Sequence, residues 1–227
     1  MRHTDPAGRP RTTPPVRGRP TTPWGRPAAL LLLGVPALVF ALITWQVVAH
    51  GPLARADERL SGSLVSRGAS TQFLADLGNI TVAVPVLALV LLLVARRARA
   101  TGGDHWWRPS AAAALLMAAV PLWVLPLKEL IDRPGPSIMG PGTGFFPSGH
   151  TATASIAYGG AVLVLLPWLR GARARRAIVV VAVVLNLGVG FGLVRQGYHW
   201  PLDVVASWCV CALLLSRPWL RTRRPAG

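Results

Sequence analysis

His199 and Asp203 stand four residues apart near the end of this chain, in the run RQGYHWPLD. If a helix starts at Trp200 or Pro201, where proline is tolerated at the first position, the carboxylate lies one turn beyond the imidazole. It can then accept a hydrogen bond from one ring nitrogen, fix the tautomer and leave the other nitrogen free as nucleophile or base. The plainer alternative is an interfacial histidine beside a helix-start aspartate favoured by the dipole. A second histidine, His150, crowds the entrance of an apolar run, FFPSGHTATASIA. A helix N-terminus offers unpaired N–H groups and a positive dipole end, which together suit an anion such as phosphate. Gly149 lets that backbone approach closely, and Ser148 adds a hydroxyl donor. The entrance therefore reads as an oxyanion cradle with a proton donor beside it, or, more simply, as a polar cap.

Lys128 is the only lysine among the 24 basic residues. A compact, flexible ammonium differs from the planar guanidinium that dominates the chain, and it suits a phosphate contact. It is equally placed to snorkel from the end of an apolar span. The loop beyond it, KELIDRPGPSIMGPGTGFFPSGH, is dense in Pro and Gly and so irregular in backbone. Cys209 and Cys211 are two apart, so on a helix they diverge and read as small buried side chains. No third or fourth ligand has the spacing of a metal site.

The elements that hold these residues are apolar. The chain has 227 residues, 52% of them hydrophobic, and mean hydropathy of +0.46 points to a membrane protein. Six stretches approach the length of about 20 residues needed to span: Ala28 to Val48, Ile80 to Ala95, Ala111 to Leu127, Thr151 to Leu169, Ala177 to Val194 and Tyr198 to Leu215. The expected fold is an all-α, polytopic bundle over residues 28–216, between an Arg/Pro-rich disordered tail (1–27) and a basic tail (217–227). The first span is longer than a signal-peptide core of ~7–15 residues and reads as an uncleaved anchor.

The net charge of +16 invites nucleic acid as a partner, but its distribution argues against that. With the N-terminus cytoplasmic, 18 of the 24 basic residues fall in cytoplasmic segments, which is the positive-inside pattern. The charge then reports topology and contact with membrane lipids, and the 128–150 and 195–203 segments face outside. The remaining external segment, His50 to Asp76, has mixed charge and no interpretable grouping.

Taken together, Lys128, an Arg-Pro pair, Pro147-Ser148-Gly149-His150, and His199 with Asp203 resemble the membrane branch of the type 2 phosphatidic acid phosphatase (PAP2) superfamily, over residues 75–216. The resemblance implies phosphatase activity on a lipid phosphate or diphosphate without a metal or other cofactor. His199 would be the nucleophile that forms a phosphohistidine, Asp203 its orienting carboxylate and His150 the general acid. Lys128, Ser148 and the Gly149 backbone would bind phosphoryl oxygens. Two family arginines are displaced. Their usual places hold Gly135 and, for the second, which the family carries in a Ser-Arg pair, Gly192 with Leu193, while Arg133 and Arg195 lie two residues away. In extended backbone residues i and i+2 point the same way, so Arg133 is expected to reach the same ligand. On a helix the same shift turns a side chain about 200°, so Arg195 can serve only if its helix ends before it. The alternative is a diverged member that binds anionic lipid headgroups without efficient hydrolysis.

Overall fold

The computed structural model describes residues 26–102 and 104–216. Most of the expected 1–27 tail and all of the 217–227 tail lie outside the described residues. From Leu32 onward the chain forms one unit, which holds every candidate site residue. The helices are α1 (Arg26–Val48), α2 (Pro52–Leu64), α3 (Ala69–Asp76), α4 (Ile80–Ala100), α5 (Arg108–Ala118), α6 (Val120–Ile131), α7 (Gly149–Leu165), α8 (Ala172–Arg195) and α9 (Pro201–Leu215).

The fold is all-helical over the described residues, and five stretches are long and apolar enough to cross a membrane. They are α1, α4, α5 with α6, α7 with the 3₁₀ turn that extends it, and α8. The third crossing breaks at Ala119, where Pro121 has no N–H to continue the ladder. The sixth expected span is shorter than read from sequence. It starts only at Pro201 and covers 15 residues, because Trp200 and Pro201 form an extended N-cap and first position.

Large side chains point outward, among them Leu38, Leu89, Leu122, Val180 and Val184. In water such a surface would be costly; facing lipid it is the expected exterior. Inside, α7 is the hub and packs against α4, α5, α6, α8 and α9. Its Ala152, Ala154, Ala157 and Ala161 are buried, and small side chains are what let membrane helices approach closely.

The segment 50–76, opaque in sequence, is two short helices that pack on the ends of the spans. Helix α3 lies directly on α8. A Cβ added at Gly192 would sit 2.5 Å from the Ala75 nitrogen and 2.7 Å from the Thr71 oxygen. Glycine there is required by contact between two backbones, and this contact brings α3 to the site.

Candidate active site

Three elements converge at one end of the bundle: the start of α7, the start of α9 and the loop after α6. Helix α6 closes with Asp132 in the left-handed region, φ 49°, its N–H bonded to the Lys128 oxygen. The chain then turns into Arg133-Pro134 and runs back to Phe145, whose N–H donates to the Arg133 carbonyl at 3.1 Å. Ser148 caps α7 and α9 begins after Trp200, so His150 and His199 come from the starts of two different helices.

The two imidazole centroids are 6.5 Å apart. Both rings line a cavity of about 1070 Å³, together with Lys128, Gly149, Asn79, Asp76 and Tyr198 at its polar end. Its walls continue as Val84, Leu87, Leu91, Met117 and Leu125 from α4, α5 and α6. A polar head and a long apolar wall share one space.

His199 is 6% exposed, and its Nδ1 lies 3.2 Å from Asp203 Oδ2. With the carboxylate as acceptor, Nδ1 carries the proton and Nε2 keeps its lone pair. Asp203 is fully buried and fully engaged: Oδ2 also accepts from Trp200 N–H at 3.1 Å, and Oδ1 from Arg133 Nη1 at 2.7 Å. The ring of Phe145 packs edge-on to His199 at 5.8 Å. His150 Nε2 is 3.0 Å from Asn79 Oδ1, while the Asn79 amide donates to Asp76 Oδ1 at 3.0 Å. That polarity makes His150 Nε2 the protonated nitrogen. Lys128 Nζ donates to the Gly144 carbonyl from the cavity wall.

Three expected phosphate contacts do not reach the cavity. Arg133 is 4% exposed and spends both terminal guanidinium nitrogens on carboxylates, Nη1 on Asp203 and Nη2 on Asp57 at 2.9 Å. Two buried anions hold it away from the cavity. Arg195 remains helical, since α8 ends only with it, and its guanidinium lies 5.7 Å from the Phe191 ring. The condition for its service is unmet. Ser148 is fully buried, its Oγ accepting from the Thr151 amide at 3.3 Å; as a helix cap it faces inward. Among the described residues, Lys128 is the one Lys or Arg side chain lining the cavity, and no group of three or more His, Cys, Asp or Glu could hold a metal ion.

Sequence reasoning missed Asp57, Gln72 and Asn79. Gln72 accepts from Tyr198 Oη at 2.6 Å and donates to Asp76 at 2.9 Å, bracing α3 against the α8–α9 turn. The one signal for Asp57 is helical spacing. It shares the buried face of α2 with Ala54 and Ser61, an unusual place for a carboxylate.

Burial pushes the Asp57 carboxyl up from 3.8 to about 6, against the opposing pull of Arg133 and the Leu202 amide. The native state therefore binds this proton more tightly than the unfolded chain does, so Asp57 lowers stability as pH rises from about 4 through 6. Wild-type protein in detergent is expected to gain thermal stability relative to Asp57→Asn when pH is lowered from 7 to about 5, a comparison that cancels the other titrating groups.

A two-histidine pocket at the end of a multi-pass helical bundle, one imidazole carboxylate-oriented and the other at a helix start, defines the class of site. The family model of the PAP2 superfamily matches residues 111–224, and the chain belongs to that superfamily. Among solved structures it is similar to the first transmembrane PAP2 type phosphatidylglycerolphosphate phosphatase, from Bacillus subtilis. The TM-score is 0.67 at 22% identity, over 82% of this chain and 92% of that one. No curated protein sequence matches.

Proposed function

We propose that this protein is a membrane phosphatase that hydrolyses a lipid phosphate or diphosphate through a phosphohistidine. The observation that carries the reading is the pair of imidazoles 6.5 Å apart across one cavity. A phosphoryl group between them would meet both. His199 Nε2 attacks phosphorus and the P–O bond to the lipid breaks, with His150, as the imidazolium, giving its Nδ1 proton to the leaving oxygen while Nε2–H stays on Asn79. Water then attacks the phosphohistidine, His150 takes its proton, and inorganic phosphate leaves as the P–N bond breaks. Lys128 and the amides opening α7 stabilise charge spread over the phosphoryl oxygens. The apolar wall from Val84 to Leu125 supports a lipid tail, as in phosphatidic acid, phosphatidylglycerol phosphate or a polyprenyl diphosphate.

The site would lie at the outer face of the cell membrane, with both termini cytoplasmic. Arg96, Arg97, Arg99, Arg108, Arg173, Arg175 and Arg176 gather at the helix ends away from His150 and His199, and positively charged loops stay inside.

Phosphate release by purified protein, measured across these lipid classes, tests the reading. Lys128→Ala is expected to lower turnover by about 10²–10³-fold, the usual cost of one oxyanion donor. A second reading, a binder of anionic headgroups that does not turn them over, draws on Arg133 and Arg195 being held away from the cavity. Tight lipid-phosphate binding with no phosphate release would favour it.

A further inference from the structure

The phosphatase scheme leaves one buried ion cluster unused. Asp57 is 5% exposed and makes two contacts toward the nucleophile. Its Oδ1 accepts from the Leu202 amide at 3.0 Å. This satisfies one of the orphan donors in the first turn of α9. Its Oδ2 accepts from Arg133 Nη2 at 2.9 Å. The same guanidinium gives Nη1 to Asp203, which holds His199. Trp200 closes the group, its ring centroid 5.5 Å from the Arg133 guanidinium carbon and its Nε1 on the Pro134 carbonyl.

We propose that Asp57 is a positioning residue for His199, acting through Arg133 and Asp203 and through the first turn of α9. The inference rests on the phosphatase reading. Two effects combine. Geometrically, Arg133 bridges α2 and α9, so the Asp203 carboxylate cannot rotate away from the imidazole. Electrostatically, an Arg133–Asp203 pair alone would be neutral and give His199 little support. Asp57 shares the guanidinium charge and leaves the buried triad at net −1, facing the ring that becomes positive on attack. Glu58, exposed at 3.7 Å from Arg133, and Lys128, whose charge interacts with Asp203, are further charged groups near this cluster. Helix α2 lies outside the matched residues 111–224, so this support belongs to a part of the chain that the family model does not describe.

The full chain in detergent, turning over dioctanoyl phosphatidic acid, provides the test. Asp57→Asn is expected to lower kcat by about 10²-fold, the scale of an ångström-sized misplacement, with KM within about twofold of wild type. The wild-type to variant kcat ratio should shrink toward one as pH falls through about 6, because Asp57 is then protonated in the wild type too. The double variant Asp57→Asn/Arg133→Gln should be no slower than Arg133→Gln alone. Independently of turnover, ¹⁵N NMR of labelled histidines should show the Nδ1–H tautomer of His199 losing population in Asp57→Asn. Unchanged kcat with an unchanged tautomer overturns the proposal, as does a lower kcat whose ratio ignores pH. A wild type without turnover would instead sink the phosphatase reading, leaving the tautomer measurement to decide this one. Should Asp57→Asn not fold, Arg133→Lys, which keeps the charge but loses the two-pronged contact, carries the same readouts.

Discussion

Replacing His199 with alanine is expected to reduce phosphate release from a lipid phosphate by about 10⁴-fold or more, the scale seen when a nucleophile in a concerted site is removed. The expectation comes from how completely the ring is committed. Its Nδ1 faces a fully buried carboxylate, so Nε2 is the nitrogen left for phosphorus. The apolar wall and Lys128 are untouched by the change, so substrate affinity should survive it. Brief incubation with ³²P-labelled substrate, quenched in alkali, should trap phosphate on His199 of the wild type and none on His150. His150→Ala should slow both formation and hydrolysis of that adduct, since one ring serves as acid in the first step and base in the second. Label found on another residue, or full turnover in His199→Ala, would remove the proposed mechanism.

Much of this site was legible in the sequence for a simple reason: titratable side chains stand out against an apolar background, and short-range spacing on a helix predicts contact. The four-residue interval between His199 and Asp203 becomes a 3.2 Å contact. The Pro-Ser-Gly-His run does open a helix. Competition for partners was not legible. Ser148 reads as a donor to substrate, but an N-cap serine has a nearer obligation, the free amide of Thr151. Arg133 is held instead by Asp57, a residue 76 positions away on another helix. No local rule encodes such a pair. Arg195 turns on where α8 stops, and helix ends are the least certain feature of any pattern-based reading.

In its proposed positioning role, Asp57 would trade stability for geometry. Its raised pKa means that the folded protein would prefer it neutral, yet the proposed role needs the charge. Buried ionic clusters are weak evidence of stabilisation, and replacing them with apolar residues is often neutral or stabilising. Retaining one beside a nucleophile is intelligible where strain or charge is part of the mechanism.

Restoring the family's Ser-Arg pair should fail in this scaffold, and the reason explains the departure. In the double variant Gly192→Ser/Leu193→Arg, the serine Cβ would stand 2.5 Å from the Ala75 nitrogen and 2.7 Å from the Thr71 oxygen. Those are backbone atoms of α3 and cannot give way as a flexible side chain could. The new arginine would replace a Leu193 that is fully buried among apolar residues. An uncompensated buried charge costs about 3–5 kcal/mol, and displacing α3 would also loosen Gln72, Asp76 and Asn79, which brace His150. The expected outcome is protein that aggregates or melts well below wild type, measured by detergent thermal-shift and size-exclusion chromatography, with no gain in turnover. Gly192→Ala alone should reproduce part of the defect, because its Cβ meets the same backbone. Wild-type melting in both variants would show that α3 can shift without cost, and would remove the close α3–α8 contact as the reason for the missing serine and arginine.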